Sequence, residues 1–174
     1  TEALDFFRSE GYPLTFSLVY LLSKAANEIK EFRWRIREGA VIEHSTVHPS
    51  FTVATQESDV FSFCTVDYHT NAQTFIADAK RVSDAMKTDP SLEDEVGRDD
   101  YLFMSALPWI SFTSIQHAMH YHPHDSVPRI SWGKFFTQNN RQMMPLAVQV
   151  HHALVDGRHV GHYFEKMETL LADP

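Results

Sequence analysis

The chain has 174 residues, 43% of them hydrophobic and 13% aromatic, which suffices for one well-packed core and one domain and excludes a disordered or fibrous protein. Lys and Arg number 15 against 23 Asp and Glu; the net charge of −8 argues against nucleic acid or an anionic membrane as partner, since both need a concentrated basic field. Cys64 is the sole cysteine, which excludes an intramolecular disulfide and a cysteine-rich zinc site and fits the cytoplasm. It stands in VFSFCTV, where a small buried core residue is expected. No apolar run approaches the roughly 20 residues that span a bilayer, and no basic-then-apolar leader precedes the first helix.

The opening TEALDFFRSEG, with Thr1 in capping position, predicts a helix. From Leu14 to Ile29 apolar residues recur at helical intervals on most sides, predicting a buried helix. EFRWRIREGAVIEHSTVHPSFTVATQ then alternates as strands do; Glu38-Gly39 marks a turn and Pro49 starts a further strand. VFSFCTVDY continues as strand, and helical spacing returns from Thr70 until Asp89-Pro90. DPSLEDEVGRDD, acidic and rich in breakers, predicts a surface loop. YLFMSALPWISFTS predicts a short buried strand stopped at Pro108 and another strand after it, and IQHAMHYHPHDSVPRI, with its prolines, predicts irregular structure. SWGKFFTQNNRQMMPLAVQVHH predicts two strands joined at Gln138-Asn139-Asn140, and an amphipathic helix runs from Gly157 onward. Strands and helices without regular βαβ alternation point to an α+β fold, a two-layer sandwich of helices packed on a mixed, largely antiparallel sheet.

Histidine is abundant, 11 in all, and His117, His120, His122 and His124 stand close together. Imidazoles at short spacing can hold zinc or nickel. No His-Glu-x-x-His pattern accompanies them, so solvated loop histidines without a metal are expected. His151 and His152, in VQVHHALVDGRHV, lie where a strand ends. Strand side chains alternate, so only one of the pair can point into a given cleft, and two partly buried, hydrogen-bonded histidines fit the spacing equally well. Asp156 precedes Gly157 at the turn into the last helix, where it either caps that helix or pairs with an arginine. Spacing alone builds no Ser-His-Asp triad.

Three blocks, PLAVQVHHALVDGRHVG (Pro145 to Gly161), SALPWISFTS (Ser105 to Ser114) and EFR…VHPSFTV (Glu31 to Val53), resemble the trimeric HHxxxDG chloramphenicol acetyltransferases. The His-x-x-x-Asp-Gly pattern alone is shared with dihydrolipoamide acyltransferases and marks only the CoA-dependent acyltransferase superfamily. The resemblance implies transfer of acetyl from acetyl-CoA to a hydroxyl of chloramphenicol or a similar small acceptor, with no covalent acyl-enzyme. It implies His152 as the general base, a task suited to imidazole at neutral pH, with His151 facing the other way. Ser105 matches the donor to the tetrahedral oxyanion, and Ser131 matches a threonine that holds an ordered water near the intermediate. Asp156 matches an aspartate paired with an arginine of the family's N-terminal segment. That segment falls ahead of Thr1, so residues 1–174 read as a single acetyltransferase domain lacking it.

The resemblance also puts Phe61, Leu92, Ile115, His117, Met119 and Arg129 along the acceptor pocket. His117 and Arg129 replace apolar residues there and would be poorly satisfied against an apolar ligand, unless they point elsewhere, Arg129 pairs with Asp125, or the acceptor differs. Trp109 and Phe135 match positions near the CoA channel and fit ordinary packing equally well. The implied assembly is a homotrimer, with the base of one chain facing the acceptor pocket of its neighbour. A non-catalytic small-molecule-binding protein on the same scaffold is the alternative from another class.

Overall fold

A computed structural model describes residues 2–55, 61–120 and 125–173. Helix α1 spans Glu2–Ser9 and α2 spans Leu14–Asn27, ending short of the predicted Ile29. Leu18, Val19, Leu21, Leu22, Ala25 and Ala26 of α2 are buried around most of its circumference, as a helix apolar on all sides requires. A 3-10 turn, Lys30–Arg33, leads into the hairpin β1 (Trp34–Arg37) and β2 (Ala40–Glu43), which turns at Glu38 and Gly39, both with positive φ.

Strand β3 (His48–Ala54) follows, then β4 (Phe61–Thr65) and helix α3 (Ala72–Met86), capped by the Asn71 side chain on Thr74 N–H at 2.9 Å. Pro49 is the second residue of β3, where its missing N–H costs no ladder bond to β4 because that pairing begins at Ser50. After the acidic loop come β5 (Tyr101–Leu107), β6 (Arg129–Gly133), the small hairpin β7 (Phe136–Gln138) and β8 (Arg141–Met143), β9 (Leu146–Gln149) and helix α4 (Gly157–Ala172).

The main sheet runs β4-β3-β5-β6-β9. Its outer pairs, β3 with β4 and β6 with β9, are antiparallel; the inner pairs, β3 with β5 and β5 with β6, are parallel. Helix α2 packs on β3 and β5 with α3 and α4 beside it, which completes the α+β sandwich. Alternation divides the sheet into two faces. Cys64, Phe51, Met104 and Ile130 meet in register across four strands and are all buried in the core. Ser50, Phe103, Arg129 and Gln149 form the neighbouring row on the opposite face.

Two local expectations are corrected. No strand follows Pro108: the chain turns at Pro108 and Trp109 and continues irregularly, tied back where Lys134 N–H donates to Ile110 O at 2.7 Å. Strand β5 already has β3 on one side and β6 on the other, so the outgoing chain finds no free sheet edge there. The histidine pair also lies beyond its strand, since β9 stops at Gln149. The expected cap at Thr1 lies outside the described residues.

Arg35 was not legible at all. Alternation along WRIR sets it beside Arg37 as a polar face, yet its side chain is fully buried. The guanidinium donates to the carbonyls of Phe32 (2.9 Å), Trp34 (2.7 Å), Asp99 (2.7 Å) and Tyr101 (2.6 Å), which offsets the cost of burying a charge. Burial lowers its pKa to about 10, against the pull of Asp99, Asp100 and Asp125. Among the described residues no helix is long and apolar enough to cross a membrane.

Candidate active site

A cleft of about 640 Å³ opens on the sheet face away from the helices. Phe61, Phe63 and Phe103 supply aromatic walls; Ser50, Thr52, Asp94, Ser105, His117, His120, Asp125 and Arg129 supply polar groups. Every second residue of a strand faces one way, so β3, β4 and β5 each contribute a pair two residues apart, and β6 contributes Arg129.

Ser105 on β5 and Ser131 on β6 are register partners, so their side chains lie side by side. Their hydroxyls differ in commitment. Ser105 has no hydrogen-bond partner among the described residues, whereas the buried Ser131 Oγ lies 2.7 Å from His117 Nε2. The backbone of His117 is held in turn by Gln149 of β9: His117 N–H donates to Oε1 at 2.8 Å, and Nε2 donates to His117 O at 3.0 Å. Burial, helped by the charge of Arg129, pushes the His117 pKa below its ordinary 6.5, which favours a neutral ring.

Arg129 forms an ion pair with Asp125, both only 12% exposed, and donates to Val127 O at 3.1 Å. Its guanidinium also lies over the Phe103 ring, 5.4 Å from the centroid. Of the alternatives, Arg129 takes the pairing with Asp125, and His117 finds a partner in Ser131, so both side chains are bonded within the chain.

The remaining predicted residues are spread out. Leu92, 50% exposed in the loop after α3, does not line the cleft, nor do Ile115 and Met119, although they flank His117 in sequence. Trp109 is 81% exposed at the turn after β5, while Phe135 packs partly against the core.

His152 is exposed and lies outside the cleft, in a turn whose first carbonyl, His151 O, accepts from Leu154 N–H (2.9 Å) and Val155 N–H (3.1 Å). That turn, not strand alternation, sets the direction of both histidines. His151 Nδ1 accepts from Ala153 N–H at 3.3 Å, and His152 Nδ1 faces Val155 O at 3.4 Å. A carbonyl can only accept, so a hydrogen bond in this contact places a proton on His152 Nδ1, and Nε2 is the nitrogen left for proton transfer.

Asp156 caps α4, accepting from Arg158 N–H (2.8 Å) and His159 N–H (3.3 Å), while its own N–H donates to His159 Nδ1 at 3.2 Å. The N–H groups of His159 and then Arg158 hold its carboxyl below the usual range. Of the four clustered histidines, His122 and His124 lie outside the described residues. Among the described residues no group of three or more His, Cys, Asp or Glu is arranged to hold a metal. Sequence reasoning missed Ser50, Thr52, Phe63, Asp94 and Phe103 in the cleft and Gln149 behind His117; period-two alternation marks the strand residues as facing one way, and no local signal marks Gln149.

The architecture has solved counterparts. It matches the dihydrolipoamide acetyltransferase of Azotobacter vinelandii with a TM-score of 0.73 at 18% identity, covering 97% of this chain and 73% of that one, a likeness of fold alone. A solved chloramphenicol acetyltransferase matches with a TM-score of 0.86 at 27% identity, over 97% of this chain and 82% of its own. Chloramphenicol acetyltransferase 3 of Escherichia coli is 31% identical over 97% of this chain and 78% of its own length. Residues 1–168 match the chloramphenicol acetyltransferase family, and the chain belongs to it.

Proposed function

We propose that the protein transfers acetyl from acetyl-CoA to a hydroxyl of chloramphenicol or a similar small acceptor. His152 Nε2 takes the hydroxyl proton as the acceptor oxygen attacks the thioester carbonyl. The electron pair of the carbonyl moves to oxygen, and the Ser105 hydroxyl donates to that oxyanion. Collapse breaks the carbon–sulfur bond and expels the CoA thiolate, which recovers the proton from His152. Ser131 assists on the oxyanion side, and Asp156, by capping α4, holds the turn that carries His152. Phe61, His117 and Arg129, which line the cleft, serve the acceptor, whereas Leu92, Ile115 and Met119 stand outside it; Trp109 and Phe135 serve CoA.

The observation that carries this reading is the uncommitted Ser105 hydroxyl in an aromatic-walled cleft, in a chain of this family. His152 is exposed and outside that cleft, which supports a homotrimer in which the base of one chain faces the cleft of the next. We read residues 1–174 as one such cytoplasmic domain. The test is release of CoA thiol from acetyl-CoA with and without chloramphenicol. Chloramphenicol-dependent release is expected; a folded protein that releases none above the acceptor-free background would overturn the reading.

A further inference from the structure

We propose that His117 is a positioning residue for acetyl transfer, acting through the Ser131 hydroxyl. This rests on the reading of the cleft as the acetyl-transfer site. Ser105 and Ser131 face each other in register on adjacent strands, which run about 4.8 Å apart, so the dipole of one hydroxyl bears directly on whatever the other binds. A serine hydroxyl has a single proton and rotates to suit its surroundings. Ser105 Oγ has no partner among the described residues, and Ser131 Oγ has one, His117 Nε2 at 2.7 Å.

The His117 backbone is itself held from behind. Gln149 takes both the N–H and the C=O of His117, so a β9 side chain fixes where the ring stands over β6. A chain of contacts therefore runs from Gln149 through His117 to Ser131 and ends beside Ser105. With the ring proton on Nε2, His117 donates to Ser131 Oγ, and its effect is to hold that oxygen so that the Ser131 proton points toward the charge that develops next to Ser105. A dipole oriented in advance stabilises a developing oxyanion without the cost of reorienting during the reaction.

The test compares wild type, His117→Phe, His117→Gln, Ser131→Ala and the His117→Phe/Ser131→Ala double variant, with kcat and both KM values measured on acetyl-CoA and chloramphenicol. Loss of the bond should lower kcat about tenfold in His117→Phe and in Ser131→Ala, leaving KM for acetyl-CoA unchanged. The double variant should be no worse than the poorer single one, because both remove the same contact. His117→Gln, whose amide reaches about as far as Nε2, should recover most of the rate.

Effects that multiply in the double variant, a change confined to the acceptor KM, or a His117→Gln as slow as His117→Phe would each overturn the proposal. Imidazole nitrogen NMR needs no change at position 117: Ser131→Ala should shift the His117 Nε2 resonance, and an unmoved resonance overturns the proposal as well. A wild type silent with chloramphenicol overturns the acetyl-transfer reading itself, a result distinct from independent effects in an active enzyme.

Discussion

Gln149 pairs with the His117 peptide as a neighbouring strand would, accepting its N–H at 2.8 Å and donating to its C=O at 3.0 Å. β9 is the last strand in the sheet order, and this amide ties the irregular chain between β5 and β6 to it. Gln149→Leu leaves two partly buried backbone groups unpaired, each costing about 1–3 kcal/mol when unsatisfied. A lower urea midpoint and faster proteolysis near His117 are expected, and unchanged values would show that the clamp carries no weight.

His152→Ala should lower turnover by about 10² to 10⁴, the usual contribution of a general base. The side chain is exposed, so far-ultraviolet circular dichroism and the melting temperature should stay near wild type. Activity close to wild type would remove His152 from the mechanism.

Ser105→Ala removes a hydroxyl that no described residue uses, so folding should be indifferent to it. The expected loss is about 10² in kcat with KM for acetyl-CoA unchanged, as for other oxyanion donors. A loss carried by KM alone would mean that Ser105 binds a substrate without acting on the oxyanion.

Gly133 closes β6 where two segments cross it. A Cβ there would stand 2.7 Å from Ile110 O and 2.7 Å from Pro145 Cγ, and the first of these is backbone that cannot swing away. Gly133→Ala should cost about 1–3 kcal/mol through overpacking, read as a melting temperature lower by roughly 5 °C. An unaltered melting temperature would show that the 110 and 145 segments yield without cost.

His48 should make stability depend on pH. Burial, outweighing the opposite pull of Asp100 and Asp67, holds its pKa below the ordinary 6.5. Its Nδ1 accepts from Tyr68 N–H at 2.9 Å, a bond that protonation at Nδ1 abolishes. The unfolded chain binds this proton more readily than the folded one, so the contribution is complete above the ordinary value of 6.5 and is lost as pH falls from there through the depressed folded value. His48→Asn keeps an acceptor without titrating. Urea denaturation between about pH 5 and 8 should show a shallower dependence in the variant than in wild type; equal slopes would exonerate His48.

What the sequence determined by itself was whatever neighbouring residues decide. Helix α2 reads as buried because it is apolar on most sides, Asn139 and Asn140 turn a hairpin because their side chains tolerate positive φ, and Asp156 caps α4 because it directly precedes the first helical N–H groups. The catalytic candidates Ser105, His152 and Asp156 were legible through a resemblance, not through spacing.

Tertiary structure alone decided how buried polar groups are satisfied. Arg35 looks like a surface residue until Tyr101, 66 positions away, offers a carbonyl. His117 looks like a polar intruder until Gln149, 32 positions on, and Ser131 on another strand close around it. The stretch after Pro108 has strand-forming residues but no free sheet edge beside β5. Periodicity and capping act over a few residues, whereas a buried charge or hydroxyl is stable only with partners that folding brings from distant parts of the chain.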